Sequence, residues 1–271
     1  MSAVSVIVTT YNQPRWLEKA LLGFENQTYT DFSIVIADDG STAETSDVIK
    51  KFQSRGTLSI VHIWQEDDGF QKTKILNKAI VASPGDYLIF TDGDCIPRFD
   101  MVAKHMVMRK PGCFLSGGYF KLPMNVSENI SEEDIQKRRC FDANWLVAQG
   151  VKKSFKLNKL TATGKKERFL NWITPTKATW DGNNASGWRA DILAVNGFDE
   201  RMQYGGEDRE LGERMMNNGV KPIQARYSLV TMHLDHPRGY VQEEMLLKNK
   251  AIRKETRVTR SKWTNFGIEQ Q

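Results

Sequence analysis

An acid–glycine–acid triplet is the clearest chemical signal in the sequence. Asp92-Gly93-Asp94 directly follows the apolar run Tyr87–Thr91, which has the character of a buried strand. The central glycine leaves room for a ligand, and hard carboxylate oxygens are the ligands that Mg²⁺ and Mn²⁺ prefer. Such triplets are common in proteins, but one at the end of a strand predicts contact with a divalent cation and with the ribose of a nucleotide.

A second acidic pair, Glu207-Asp208, follows two glycines and starts a helical segment that stops near Gly219. Acids at a helix N-terminus interact favourably with the helix dipole, so the pair could serve stability alone. The neighbouring glycines instead indicate the close approach of a ligand. A carboxylate there could act as a general base on a hydroxyl group. The residues alone leave both interpretations open.

Two histidines three residues apart, His233 and His236, form a third group. A lone surface pair is the commoner case, but such histidines can also bind a metal ion. If one of them joins Asp94 on a cation, the resulting oxygen-plus-imidazole set favours Mn²⁺ over Mg²⁺.

Four short apolar runs supply the elements that would position these groups. They alternate with segments of helical spacing, and we predict strands over Val4–Thr9, Phe32–Ala37, Leu58–Ile63 and Tyr87–Thr91. This alternation predicts βαβ units in a doubly wound, mostly parallel sheet flanked by helices. Ligands bind outside the carboxyl ends of such strands, where Asp39 and Asp92 both fall. For Asp39, a turn with a helix cap is the alternative to binding a base or ribose.

The remainder of the chain is less regular. Residues 120–180 are poor in β-branched runs and are predicted to be mostly helical. A strand is predicted over Ile223–Thr231, and an amphipathic helix over 239–260 with Val241, Met245 and Ile252 facing inward.

Composition excludes several classes of protein. The 271 residues are 40% hydrophobic and 26% charged, and no run approaches the roughly 20 apolar residues of a membrane span. Three separated cysteines and a start without a signal peptide favour a cytoplasmic location. Dinucleotide, P-loop and hydrolase-elbow motifs are missing, and basic residues do not alternate with aromatics, which argues against nucleic-acid binding.

The formal net charge is +5, and cations are concentrated near the C-terminus. Residues 248–262 contain seven Lys or Arg and one acid. A solvated helix face is the commoner reason for such a run, and contact with an anionic membrane surface is the alternative.

Five segments together resemble a known family. In chain order they read VSVIVTTYNQPRWLEKALLGFENQT, IVIADDGST, YLIFTDGDCIP, NGFDERMQYGGEDRELGERMMNNG and MHLDHPRG. They are similar to the family 2 glycosyltransferases, and the last two resemble the galactosyltransferase-like segment of bacterial polysaccharide and lipopolysaccharide enzymes. The resemblance covers most of the chain except about 120–180.

The resemblance implies a GT-A fold with a helical insertion on the acceptor side and a C-terminal amphipathic helix. We divide the chain accordingly into a nucleotide-sugar-binding half, the insertion, a catalytic and acceptor half, and a basic helix and tail: residues 1–119, 120–180, 181–238 and 239–271.

The resemblance also implies roles for single residues. Asp208 would be the catalytic base and Glu207 would hold a sugar. Asp94 and His233 would bind Mn²⁺ or Mg²⁺, with His236 as the second choice. The nucleotide-binding residues would be Thr9, Tyr11, Asp39, Lys74, Asn77 and Asp92. The sugar and acceptor pocket would be lined by Asn183, Asn184, Trp188, Tyr204 and Gly206. Many relatives carry tryptophan where this chain has Tyr204.

The implied activity is inverting, metal-dependent transfer of a hexose of the galactose, N-acetylgalactosamine or glucose type. The donor would be a UDP-sugar, and the acceptor a saccharide or lipid-linked saccharide in bacterial surface polysaccharide or lipopolysaccharide synthesis. One alternative is a non-catalytic carbohydrate-binding or scaffold protein. A sugar nucleotidyltransferase is the other, although it should carry a glycine-rich basic loop where this chain has Thr9-Thr10-Tyr11-Asn12.

Overall fold

Strands and helices alternate through the first 92 residues of the computed structural model, which describes residues 3–237, 239 and 241–269. Each of the four strands predicted in this part of the chain is present, and its ends lie within one residue of the prediction. The elements are β1 (Val4–Thr10), α1 (Pro14–Glu25), β2 (Ser33–Asp38), α2 (Ala43–Arg55), β3 (Ser59–Trp64), α3 (Lys72–Ala82) and β4 (Tyr87–Asp92).

These strands form one side of a seven-stranded sheet. Three later strands complete it: β6 (Cys113–Ser116), β8 (Ala185–Trp188) and β9 (Lys221–Gln224). The order is β3-β2-β1-β4-β8-β6-β9, and only the two pairings of β8 are antiparallel. The predicted mostly parallel α/β sheet is therefore confirmed.

Both faces of the sheet are covered, as near-continuous apolar strands require. Alternate residues of β1 point to opposite sides: Val6 and Val8 join the core under α1 and α2, and Ile7 joins the core under α3. The second core also receives Trp180, which is fully buried.

A small three-stranded sheet lies beside the large one, in the order β5 (Cys95–Pro97), β10 (Val230–His233) and β7 (Gly118–Lys121). The predicted strand Ile223–Thr231 is wrong in extent. Backbone bonds from Ser228 and Leu229 to the Ala225 carbonyl close a turn there, so the chain leaves β9 and enters β10 in the other sheet. His233 consequently ends a strand instead of following one.

Residues 124–173 form a series of short helices and 3₁₀ turns joined by loops, and they cover one side of the core. They comprise α5 (Met124–Asn129), α6 (Glu132–Gln136), a 3₁₀ turn (Arg139–Phe141), α7 (Ala143–Ala148), a second 3₁₀ turn (Phe155–Leu157), α8 (Asn158–Thr161) and α9 (Gly164–Ile173). Strand β7 spans the predicted boundary at residues 119 and 120, so the proposed first half shares a strand with the insertion.

The remaining helices are α4 (Met101–Met108), α10 (Arg189–Leu193), α11 (Glu207–Asn217) and α12 (Glu243–Thr259). Met245 and Ile252 face inward from α12 as predicted, but Val241 precedes the helix and is exposed. Among the helices of the described residues, none has the length and apolar character needed to cross a bilayer.

Candidate active site

The carboxyl ends of β1, β2 and β4 open into a cleft with a volume of about 1030 Å³. This is where an open α/β sheet binds its ligands. Most of the predicted site residues line the cleft, although they come from six separate parts of the chain: Thr9, Tyr11, Asp39, Asp92, Asp94, Asn183, Tyr204, Gly206, Glu207, Asp208, His233 and His236.

Asp92 is held in place by two donors. Thr9 Oγ1 donates to Asp92 Oδ1 over 2.7 Å, and Lys72 Nζ lies 2.6 Å from the same oxygen. Burial alone would lower the pKa of Lys72, but the carboxylates of Asp92, Glu207 and Asp208 outweigh burial and raise it. Lys72 therefore remains a cation among acids, although the sequence analysis did not identify it.

Asp94 lies beside both histidines. Its Oδ2 is 2.8 Å from His236 Nε2 and 3.8 Å from His233 Nε2, and the two imidazole rings are parallel. Each Nδ1 lies within hydrogen-bond distance of a backbone carbonyl, that of Leu234 or Pro237. Because a carbonyl only accepts, each Nδ1 carries a proton. Each Nε2 therefore faces Asp94, where it donates to the carboxylate when protonated and can bind a cation when it is not.

This donor set fits a divalent cation. Asp94, Cys95 and His233 each place one donor atom within 4.8 Å of the others. Burial raises the pKa of the Cys95 thiol well above its usual value, and the thiol donates to Asp94 Oδ1. The carboxylate and imidazole groups, rather than the thiol, would therefore hold the ion, and their chemistry suits Mn²⁺ or Mg²⁺.

The acidic pair begins α11, directly after a turn that needs glycine. Gly205 and Gly206 have φ values of +110° and +87°, which residues with side chains rarely adopt. The turn lets the Gly205 N–H donate to Glu207 Oε2 over 3.0 Å. Asp208 Oδ2 accepts from the Gly182 N–H over 3.1 Å, which joins the two walls of the cleft.

Glu207 and Asp181 are acids with raised pKa values. Burial and the charge of Asp208 raise the pKa of Glu207 to about 7, although Lys72 opposes them. Burial and the charges of Asp208 and Asp92 raise the pKa of Asp181 to about 6. Asp181 is a second cleft residue that the sequence analysis missed, because neither its neighbours nor a strand end marked it.

Asp39 and Tyr11 form the end of the cleft nearest β2. Asp39 accepts from Gln65 Nε2 over 2.7 Å and from the Gln71 N–H over 2.9 Å. Burial nonetheless raises the pKa of Asp39 to about 6. Tyr11 donates its hydroxyl to Asp67 and remains 43% exposed, so its ring is available to stack on a planar ligand.

Two aromatic rings and an amide also line the cleft. Tyr204 packs edge-to-face on Phe70 with ring centroids 5.7 Å apart. Asn183 Oδ1 is buried and takes no hydrogen bond from the described residues. A buried acceptor of this kind normally has a partner, and a hydroxyl of a bound sugar would supply one.

Two of the predicted nucleotide-binding residues lie outside the cleft. Lys74 points to solvent from α3, because Ile75 and Leu76 occupy the inward face of that helix. Asn77 is buried and hydrogen-bonds both the N–H and the carbonyl of Phe198. It fixes a loop to α3 and takes no part in the site.

Two of the predicted sugar-pocket residues, Asn184 and Trp188, also lie outside the cleft. Asn184 is fully buried, where Nδ2 donates to the carbonyls of Gly118 and Leu229. Trp188 pairs with Tyr87 at the far end of β4 and donates to the Lys110 carbonyl. Both side chains hold parts of the fold together, and these long-range contacts cannot be read from the local sequence.

Helix α12 contributes one wall of the cleft, which the sequence analysis did not foresee. Leu246 and Arg253 line the cleft, and Arg253 Nη2 lies 2.6 Å from Glu213 Oε1 on α11. Asn249 Nδ2 donates to the carbonyls of Gln203 and Gly205. The helix is therefore attached to the glycine turn that positions the acidic pair.

Comparison with known families gives two matches. Residues 5–108 match the model of glycosyl transferase family 2, and residues 171–237 match the model described as the N-terminal domain of galactosyltransferase. The two matches include all the cleft acids named above.

Among curated proteins, the chain is 30% identical over 243 residues to validoxylamine A glucosyltransferase of Streptomyces hygroscopicus subsp. jinggangensis. The alignment covers 83% of this chain and 54% of that protein, so the chain spans about half the length of this relative.

Two solved structures show the fold. A mannosyltransferase from Pyrobaculum calidifontis, in complex with GDP-Man and Mn²⁺, has a TM-score of 0.60 at 19% identity over 95% of this chain and 62% of its own. GalNAc-T7 with UDP, GalNAc and Mn²⁺ has a TM-score of 0.64 at 13% identity over 94% of this chain and 48% of its own. The chain accordingly has the predicted GT-A fold, and its residues 5–108 form a glycosyl transferase family 2 domain.

Proposed function

We propose that this chain transfers a hexose from a UDP-sugar to a hydroxyl of a saccharide acceptor, with inversion at the anomeric carbon. The observation that carries the proposal is the shared cleft, in which the nucleotide-side acids, the Asp94 and histidine cluster and the Glu207-Asp208 pair all meet. The alternative non-catalytic function would not need a base and a metal-binding set in one cavity.

The donor would lie along the carboxyl ends of the strands. Asp39 and Tyr11 would contact the base and ribose, and Asp92 lines the same cleft. A divalent cation on Asp94, His233 and His236 would neutralise the diphosphate leaving group, the role of a Lewis acid. Lys72 supplies a fixed positive charge beside Asp92.

Asp208 is proposed as the general base. It would remove the proton of the acceptor hydroxyl while that oxygen bonds to the anomeric carbon. The bond from that carbon to the diphosphate oxygen breaks, and its electron pair leaves with UDP. Attack from the opposite side turns an α-linked donor into a β-linked product. Glu207 and Asn183 would hold sugar hydroxyls beside the reacting centre.

The hexose type is proposed from several observations. The match of residues 171–237 to the galactosyltransferase model favours galactose or N-acetylgalactosamine, and the relative named as a glucosyltransferase favours glucose. The smaller ring of Tyr204, where many relatives have tryptophan, would alter this pocket. The place in bacterial surface polysaccharide or lipopolysaccharide synthesis rests on the sequence resemblance.

The location of the chain is part of the proposal. A cytoplasmic position with contact between α12 and an anionic membrane stays a prediction. The side chains of Lys248, Lys250 and Lys254 are exposed on that helix, which leaves them available for such contact.

The base is tested by Asp208→Asn. A positioned general base contributes roughly 10²–10⁴-fold, so transfer should fall by about that factor. The affinity for UDP, measured by calorimetry, should be nearly unchanged because Asp208 lies on the acceptor side. Asp86→Asn, exposed at the opposite end of β4, is the matched control and should leave both quantities intact. Equal loss of transfer and UDP binding in Asp208→Asn would indicate a structural role instead.

A further inference from the structure

The insertion leaves several large apolar side chains in water. Phe169 and Trp172 on α9 are 54% and 81% exposed, and their rings lie 6.1 Å apart. Ile173 follows them, and Phe155 in the preceding 3₁₀ turn is 65% exposed. Phe169, Trp172 and Ile173 adjoin one another on α9, and exposed apolar surface of this kind marks a site of interaction.

Helix α9 is held firmly from its other face, so this exposure is not a sign of a detached helix. Leu170 is buried with Tyr227, and Asn171 hydrogen-bonds both Ser228 and the Tyr227 N–H. Residues 165, 169 and 172 follow the i, i+4, i+7 spacing of one helix face, opposite to these contacts.

Positive charge surrounds the exposed rings. Between residues 152 and 177 the sequence has eight Lys or Arg and one acid, Glu167. Glu167 forms an ion pair with Lys104, whose Nζ lies 3.0 Å from Glu167 Oε2. Lys159 Nζ is bound to the Tyr119 carbonyl. The other seven cations are exposed: Lys152, Lys153, Lys156, Lys165, Lys166, Arg168 and Lys177.

We infer that this surface, the outer face of α9 with the cations of residues 152–177, docks on an anionic membrane. Tryptophan, phenylalanine and isoleucine among lysines are the composition of helices that lie in the headgroup region. An acidic glycan would meet the cations and could stack sugar rings on Phe169 and Trp172, but the exposed aliphatic side chain of Ile173 suits lipid better than a sugar. This inference does not depend on the proposed transfer reaction.

The inference differs from the predicted contact through α12. The exposed surface of α12 includes Glu243, Glu244 and Glu255 among its lysines, and the helix has no aromatic residue. On α9 the apolar and cationic groups share one outward face, so α9 is the stronger membrane contact.

The test is cosedimentation of the full chain with vesicles of equal parts phosphatidylglycerol and phosphatidylcholine, with phosphatidylcholine vesicles as reference. Each cation near an anionic surface contributes about fivefold to binding, so Lys165→Gln/Lys166→Gln should weaken partitioning about 30-fold. Phe169→Ala/Trp172→Ala should weaken it by at least about tenfold through lost apolar burial. The matched α12 pair, Lys250→Gln/Lys254→Gln, should weaken it less than the α9 pair.

Circular dichroism checks that each variant is folded. If Phe169→Ala/Trp172→Ala does not fold, Lys165→Gln/Lys166→Gln, which changes only exposed side chains, still tests the inference. Absence of binding to the anionic vesicles would overturn the inference. So would equal binding by the α9 variants and the wild type, or a larger effect of the α12 pair. Tight binding to heparin without binding to vesicles would show that the surface recognises an acidic polymer. Dimers that are abolished by Phe169→Ala/Trp172→Ala would show that a second copy covers it.

Discussion

Lys72 is the cation around which the cleft acids are arranged, and its removal should have a cost that depends on pH. Its Nζ lies 2.6 Å from Asp92 Oδ1, and Glu207 and Asp208 also act on its charge. Loss of one partner from a buried ion pair costs roughly 3–5 kcal/mol. The two side chains are 21% and 25% exposed, so we expect the lower end for Lys72→Met, about 3 kcal/mol at pH 8.

The pH dependence follows from Glu207. Burial and Asp208 already raise its pKa to about 7, and Lys72 is a group that lowers it. Without Lys72 the pKa rises further, and one unit corresponds to about 1.4 kcal/mol. When the pKa of a carboxyl is higher in the folded than in the unfolded protein, the free energy of unfolding falls as the pH rises towards the folded-state pKa. About 1 kcal/mol of the loss should therefore disappear between pH 8 and pH 5.5, where Glu207 is protonated.

Urea unfolding of Lys72→Met at the two pH values measures both effects. The matched control is Lys74→Met, two residues along the same helix but exposed, which should stay within about 0.5 kcal/mol of wild type. Equal stability of the two variants would refute the central role of Lys72. A loss in Lys72→Met that is the same at both pH values would refute the coupling to Glu207.

Two further predictions concern the turn and the metal cluster. Gly205→Ala should lower the free energy of unfolding by about 1–3 kcal/mol, because φ is +110° and the new Cβ would lie 2.4 Å from Leu246 Cδ2. Gly56→Ala is the control: its φ is also positive but its surroundings are open, so it should lose less stability in the same urea titration. Mn²⁺ at about 100 times its dissociation constant should stabilise the wild type by about 2.7 kcal/mol, which a shift in melting temperature would report. His236→Ala should reduce this gain at the same Mn²⁺ concentration, and an unchanged gain would exclude His236 as a ligand.

The sequence predicted the first half of the fold well because three of its strands, β1, β2 and β4, are long and buried on both faces. Val4–Thr10 and Tyr87–Asp92 are continuous apolar runs that end in polar residues, so their ends were clear. The four-residue strands β6, β8 and β9 carry too little pattern to be recognised. The split between β9 and β10 depends on which sheet each strand joins, a long-range choice that local composition does not encode.

The site shows the same division. Asp39, Asp92 and Asp94 were found because strand ends converge, and Asp208 because of the glycines before it. Lys72 was missed in favour of Lys74, although the inward positions Ile75, Leu76 and Ala79 place residue 72 on the cleft side and residue 74 outside. Asp181 and Arg253 reach the cleft only through tertiary packing, and no local pattern marks either of them.

Glycosyl transfer from a UDP-sugar is tested by measuring turnover of a panel of UDP-, GDP-, ADP- and CMP-sugars, each with Mn²⁺ and with EDTA. We expect slow hydrolysis of one UDP-sugar by the wild type, which is lost in EDTA and reduced about 10²–10⁴-fold in Asp208→Asn. Absence of binding of every nucleotide sugar, with Mn²⁺ present and the chain folded, would contradict the proposed function.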